Sequence, residues 1–161
     1  MQKIDLVIKS NFEGLVASCE LLYENMEDSF MGPLPTDKYC FSFIILGSFA
    51  CELGLKRKLD ELNISYNKVH KVRELFDLLP EDKKVEIIEK AKVSGGRFKL
   101  KDDNEFYKNI DIISNNFVDW RYMHEEKPNI SHADPNDPNR KYINNVSSSP
   151  VFIRMLYKSL S

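Results

Sequence analysis

Apolar residues recur along most of this chain at spacings of three and four, the period of a helix with one buried face. The first such run extends from Ile4 to Met26. Leu15, Cys19 and Leu22 keep helical spacing, and Val16 and Tyr23 widen the face. Gly32, Pro33 and Pro35 then stop the chain. A second helix is predicted from Thr36, a residue type suited to the N-cap, to Asn63. Phe41, Phe43, Ile44, Ile45, Leu46 and Phe49 make its first half apolar almost all round, the pattern of a central helix. After a turn at Ser65 to Asn67, Val69, Val72, Leu75, Phe76 and Leu79 define the inner face of a short helix, with His70 in its first turn.

Pro80 opens a further helix from Glu81 to about Lys92, with acids first and lysines last, as the helix dipole favours. Ser94, Gly95 and Gly96 end it, and Arg97 to Lys101 alternates basic and apolar residues as an extended edge segment would. A long helix ending at Glu126 follows, with Phe106, Ile110, Ile113, Phe117, Trp120 and His124 in one stripe. Residues 127–148 are expected to form a loop, being rich in Pro, Asn and Asp as far as Asn139. Ser148 or Ser149 then caps a last helix, with Pro150 in its first turn and Phe152, Met155, Leu156 and Leu160 as packing residues. The expectation is a single all-α domain over residues 1–161, a bundle of five or six helices.

Composition agrees with a packed domain: 161 residues, 42% hydrophobic and 30% charged, are enough for a substantial core. A net charge of −2 and a pI near 6.0 argue against coating nucleic acid by bulk attraction. Cys19, Cys40 and Cys51 are isolated in apolar stretches, so buried free thiols in a reducing cytoplasm are expected. His70, His124 and His132 are scattered and no CxxC or HxxxH spacing occurs, so neither a metal nor a cofactor is expected. The start of the chain lacks the basic lead and apolar block of a secretory signal. The apolar run from Phe41 to Cys51 is well short of the roughly 20 residues that span a bilayer. A cytoplasmic protein that does not enter membranes is expected.

Candidate chemistry gathers on two helices. Projected at 100° per residue, Glu52 and Lys56 fall in line with Ile45, Phe49 and Leu59, so an ion pair interrupts a core-like stripe. Glu four residues before Lys is the favourable order, and the pair reads equally as an exposed surface pair or a buried one. Arg121 and Glu125 sit one turn apart beside the aromatic stripe of the long helix, with His124 in it. Separately, Lys90 to Lys101 holds five basic residues and no acid. That run is either a solvated loop or, through Arg97, Lys99 and Lys101, a phosphate-binding patch.

Three segments together resemble the HEPN (higher eukaryotes and prokaryotes nucleotide-binding) superfamily. Ala50-Cys51-Glu52-Leu53-Gly54-Leu55-Lys56 is similar to the A-x-E-L-x-L-K run of its second long helix. His70 to Pro80 resembles its H-x-L-x-x-L-F-x-x-L element, and Phe117 to Glu125 its F-x-x-W-R-Y-x-Y-E ending. The resemblance implies an antiparallel helical bundle, often dimeric, in bacterial toxin–antitoxin or antiphage systems, with a partner encoded nearby. It also implies, for many members, metal-independent RNA cleavage by an Arg and a His, here Arg121 and His124. The His would act as base toward the ribose 2′-hydroxyl, and the Arg would stabilise charge on phosphorus. The spacing departs from that of nuclease members, because Tyr122 follows Arg121 and His124 is only three residues on.

Three readings follow. In the first, Glu52, Lys56, Arg121 and Glu125 form a structural polar cluster between two long helices of a non-catalytic interaction or accessory module. The second is a metal-independent endoribonuclease using Arg121 and His124, with His70 as a spare base or, more plainly, a hydrogen-bonded structural histidine. The third is a nucleotide or single-stranded RNA binder using Arg97, Lys99 and Lys101, with Phe98 or Tyr107 stacking a base.

Overall fold

The computed structural model describes residues 3–26, 39–95, 98–114 and 149–161. Among these residues the secondary structure is wholly helical: α1 (Lys3–Glu24), α2 (Cys40–Glu61), α3 (Val72–Asp77), α4 (Glu81–Ser94), α5 (Asp103–Ile113) and α6 (Ser149–Ser159). No described helix is long and apolar enough to cross a membrane.

α1 and α2 run antiparallel. Phe12 in α1 lies against Gly54 and beneath the Arg57 guanidinium near one end of α2, while Tyr23 meets Phe43, ring centroids 5.4 Å apart, near the other. α2 has the central place its apolar first half predicted, packing against α1, α3 and α6. α6 is the second hub, in contact with α2, α4 and α5. Phe152, Ile153, Met155, Leu156 and Tyr157 are all buried, as is Leu160 just after them, so this helix hides far more than a single narrow stripe. Aromatic rings bridge the helices: Phe76 of α3 meets Phe106 of α5 at 5.2 Å, and Phe106 meets Phe152 of α6 at 5.3 Å.

Helix ends follow local chemistry. α2 stops in a Schellman motif, in which the Asn63 N–H donates to Asp60 O (3.0 Å) and the Ile64 N–H to Leu59 O (2.9 Å). Asn63 holds the left-handed conformation this needs (φ 55°). At the start of α5 the Asp102 carboxylate accepts from the Glu105 N–H (2.8 Å), and Glu105 accepts from the Lys101 N–H (2.6 Å), a reciprocal cap.

Boundaries differ from expectation in three places. α2 begins at Cys40, and Thr36, the expected cap, lies outside the described residues. Pro80 occupies the N-cap of α4 rather than its first turn, at ψ 152°, and its carbonyl accepts from the N–H groups of Lys83 and Lys84. α3 starts only at Val72, which leaves His70 in the extended approach to the helix, because the Lys71 backbone is extended. The long helix expected to end at Glu126 is described as far as Ile113, with Ser114 at its C-cap.

Candidate functional site

Glu52 is the most deeply placed acid of the second half of α2. Only 5% of the residue is exposed, which settles the choice between surface and buried placement for this ion pair. A carboxylate so enclosed needs compensation, because burying an unpaired charge is costly. Two groups supply it, both on Oε1: Lys56 Nζ at 2.6 Å and His70 Nδ1 at 3.0 Å. Lys56 comes from the next turn of the same helix, where spacing of four puts the two side chains one above the other. His70 arrives from the connection between α2 and α3, so the pair on α2 becomes a triad that anchors that connection. Lys56 also stands 5.7 Å from the Tyr66 ring centre, and the Tyr66 hydroxyl donates to Asp60 (3.0 Å).

His70 Nδ1 has a second neighbour, Lys56 Nζ, at 3.4 Å. An ammonium can only donate and a carboxylate can only accept, so the two contacts ask for opposite tautomers. The carboxylate contact is the shorter and is charge-assisted, which puts the proton on Nδ1.

The remaining members of the expected cluster, Arg121 and Glu125, lie outside the described residues, as do the proposed catalytic His124 and the basic Arg97. Lys99 and Lys101 are exposed. The basic run to which they belong is partly neutralised from elsewhere in the fold. Lys90 pairs with Glu86 (3.0 Å), and Lys92 pairs with both Glu89 and Asp103 (2.7 Å each). Phe98, offered as a stacking ring, is half-buried against the core, and Tyr107 is covered by the Arg73 guanidinium 4.8 Å from its centre.

A second polar cluster was not foreseen. Glu20 on α1 accepts from Arg154 through both carboxylate oxygens (2.9 and 2.6 Å), from the Tyr157 hydroxyl (2.6 Å) and from Lys158 (2.9 Å). Burial works to raise the Glu20 pKa, but the hydrogen bonds from Arg154, Tyr157 and Lys158 outweigh it and hold the carboxyl at about 2. The same bonds hold Arg154 well above its ordinary value, and burial together with Glu20 raises Tyr157 strongly. Arg154 also stacks 4.3 Å from the Tyr23 ring centre. Spacing of three and four puts Arg154, Tyr157 and Lys158 on one face of α6, and that much is visible in the sequence. The partner 134 residues away is not.

The three cysteines are buried, and burial followed by the Glu20 charge pushes the Cys19 thiol up to about 12. Among the described residues no group of three or more His, Cys, Asp or Glu side chains converges as a metal site would. A pocket between Lys58, Leu79, Lys83 and Ser159 holds only about 70 Å³, well below the several hundred Å³ of a nucleotide-sized site. No family model, curated protein or solved structure matches this chain.

Proposed function

We propose that this chain is a HEPN-like accessory module of a bacterial defence or toxin–antitoxin type system, acting by interaction rather than by catalysis. Resemblance in three segments supplies the family and the setting. The observation that carries the non-catalytic part is the Glu52 triad: its carboxylate faces inward, and its charge is answered by Lys56 at 2.6 Å and His70 at 3.0 Å. A group so engaged serves to hold α2 and the approach to α3 in register. The all-helical architecture agrees with such a module.

Removing one partner tests this reading. Lys56→Met leaves Glu52 with less compensation, which for buried pairs costs about 3–5 kcal/mol and here, with Lys56 slightly open to water, on the order of 2–4 kcal/mol. The melting temperature should fall by roughly 5–12 °C for a chain of this length. In parallel, the wild-type protein should leave a panel of single-stranded and hairpin RNAs intact. Cleavage that disappears in Arg121→Ala or His124→Ala, with the melting temperature unchanged, would replace this reading with the endoribonuclease.

A further inference from the structure

The Glu52 triad has an outward side. His70 is held from below at Nδ1, yet its side chain is 70% exposed, so the opposite edge of the ring, carrying Nε2, faces solvent. With the proton on Nδ1, Nε2 bears the lone pair. Glu52 therefore orients the ring, fixes its tautomer and stands ready to compensate positive charge if Nε2 forms a bond. The turn that leads into His70 is a tight one, closed by the Val69 N–H donating to Tyr66 O (3.0 Å). Lys68, two residues earlier, adopts φ 62°, a left-handed conformation uncommon for a residue with a long side chain.

The surroundings select the kind of electrophile. Lys56, Lys68 and Lys71 flank the ring in space or in sequence, and Lys68 and Lys71 are exposed. Lys56 is engaged with Glu52 and Lys71 with Glu74 at 3.3 Å, which leaves Lys68, exposed two residues before the ring, as the cation open to an incoming anion among the described residues. We propose that His70 is a phosphoryl-acceptor site, modified at Nε2 by a high-energy phosphoryl donor. The Glu52–His70 contact also underlies the proposed module function, but labelling at His70 can fail while the stability and RNA results of that reading hold.

The step balances without another reactant. With phosphoramidate as donor, the Nε2 lone pair attacks phosphorus, the P–N bond of the donor breaks, and the nitrogen leaves as ammonia. The Nδ1 proton stays on the ring. The imidazolium so formed keeps its hydrogen bond to Glu52, which stabilises its charge more closely (3.0 Å) than Lys56 opposes it (3.4 Å).

The experiment treats the folded full-length chain with potassium phosphoramidate and follows it by ³¹P NMR and peptide mapping. His70 should acquire an acid-labile, alkali-stable phosphoryl group on Nε2, faster than His124 and His132 of the same chain. Glu52→Gln, shown to be folded by circular dichroism, should slow this by roughly tenfold or more, since the amide neither fixes the tautomer nor offsets the ring charge. If that variant does not fold, the wild-type chain in urea replaces it and should show the same loss of rate. Even labelling of the three histidines, or a rate at His70 unchanged by Glu52→Gln or by unfolding, would overturn the proposal.

Discussion

Glu20 and Glu52 are both acids placed inside a helical bundle, yet their partners differ in kind. Glu52 draws its ammonium from its own helix, whereas Glu20 draws a guanidinium, a phenol and an ammonium from α6, at the far end of the chain. At Glu20 these partners hold the carboxyl at about 2 against an ordinary 4.5. A folded-state pKa below the unfolded one means that folding favours the ionised form. The stabilisation is then complete above about pH 4.5 and is lost as pH falls toward 2. With the Glu20 side chain still 24% exposed, screening reduces it to on the order of 1–2 kcal/mol. Glu20→Gln should therefore unfold at lower temperature than wild type at pH 7, and the gap should narrow between pH 4.5 and pH 2. Thermal melts of both proteins across that interval check this, and a gap independent of pH would show that Glu20 does not titrate in that range.

At the scale of elements, the helical glycines Gly14 and Gly54 are under opposite constraints. Gly14 in α1 has open space where a Cβ would stand. At Gly54 in α2 an added Cβ would lie 2.7 Å from the Phe12 ring and 3.0 Å from Leu160, so α1 and the chain just after α6 approach α2 at that point. Replacing a helical glycine by alanine gains about 0.8–1.0 kcal/mol where nothing else changes. Overpacking costs about 1–3 kcal/mol where the neighbours must move. Gly14→Ala should raise the melting temperature by roughly 2–4 °C, and Gly54→Ala should lower it by a similar amount or more. Equal shifts of the same sign in calorimetry would mean that the Gly54 contact is not restrictive. The sequence does not distinguish the two, because each reads simply as an unfavourable residue within an amphipathic run.

That contrast marks how far the pattern of residues could be read. Periodicity along α1, α2 and α4 located these helices to within a few residues, because apolar spacing is local information. It also put Glu52 and Lys56 on one line of α2, although burial there depended on what packs alongside. Pairings of distant segments left no such trace: Glu20 with Arg154, or His70 with Glu52, follow from how the helices meet. His70 shows the limit well. It was visible as a residue suited to hydrogen bonding, but only the extended approach to α3 aims its ring at the carboxylate.

The molecule as a whole depends on α6 more than its 11 residues suggest. It packs against α2, α4 and α5, and through Glu20 it also holds α1. Phe152, Ile153, Met155, Leu156, Tyr157 and Leu160 are each at most 1% exposed. Burying a side chain of this size contributes about 1.5–3 kcal/mol, so six of them rival the 5–15 kcal/mol by which a domain is normally stable. Without α6, α4 would lose the helix it packs against, and Phe106 would lose its partner Phe152. A chain of residues 1–148 should therefore keep much of its helical circular dichroism while losing near-ultraviolet dichroism and cooperative melting, the signature of collapsed helices without fixed packing. Adding the peptide of residues 149–161 should restore part of the cooperative transition in a concentration-dependent manner. A sharp transition in the shortened chain alone would mean that α1 to α5 already close a core of their own, leaving α6 as a cover rather than a hub.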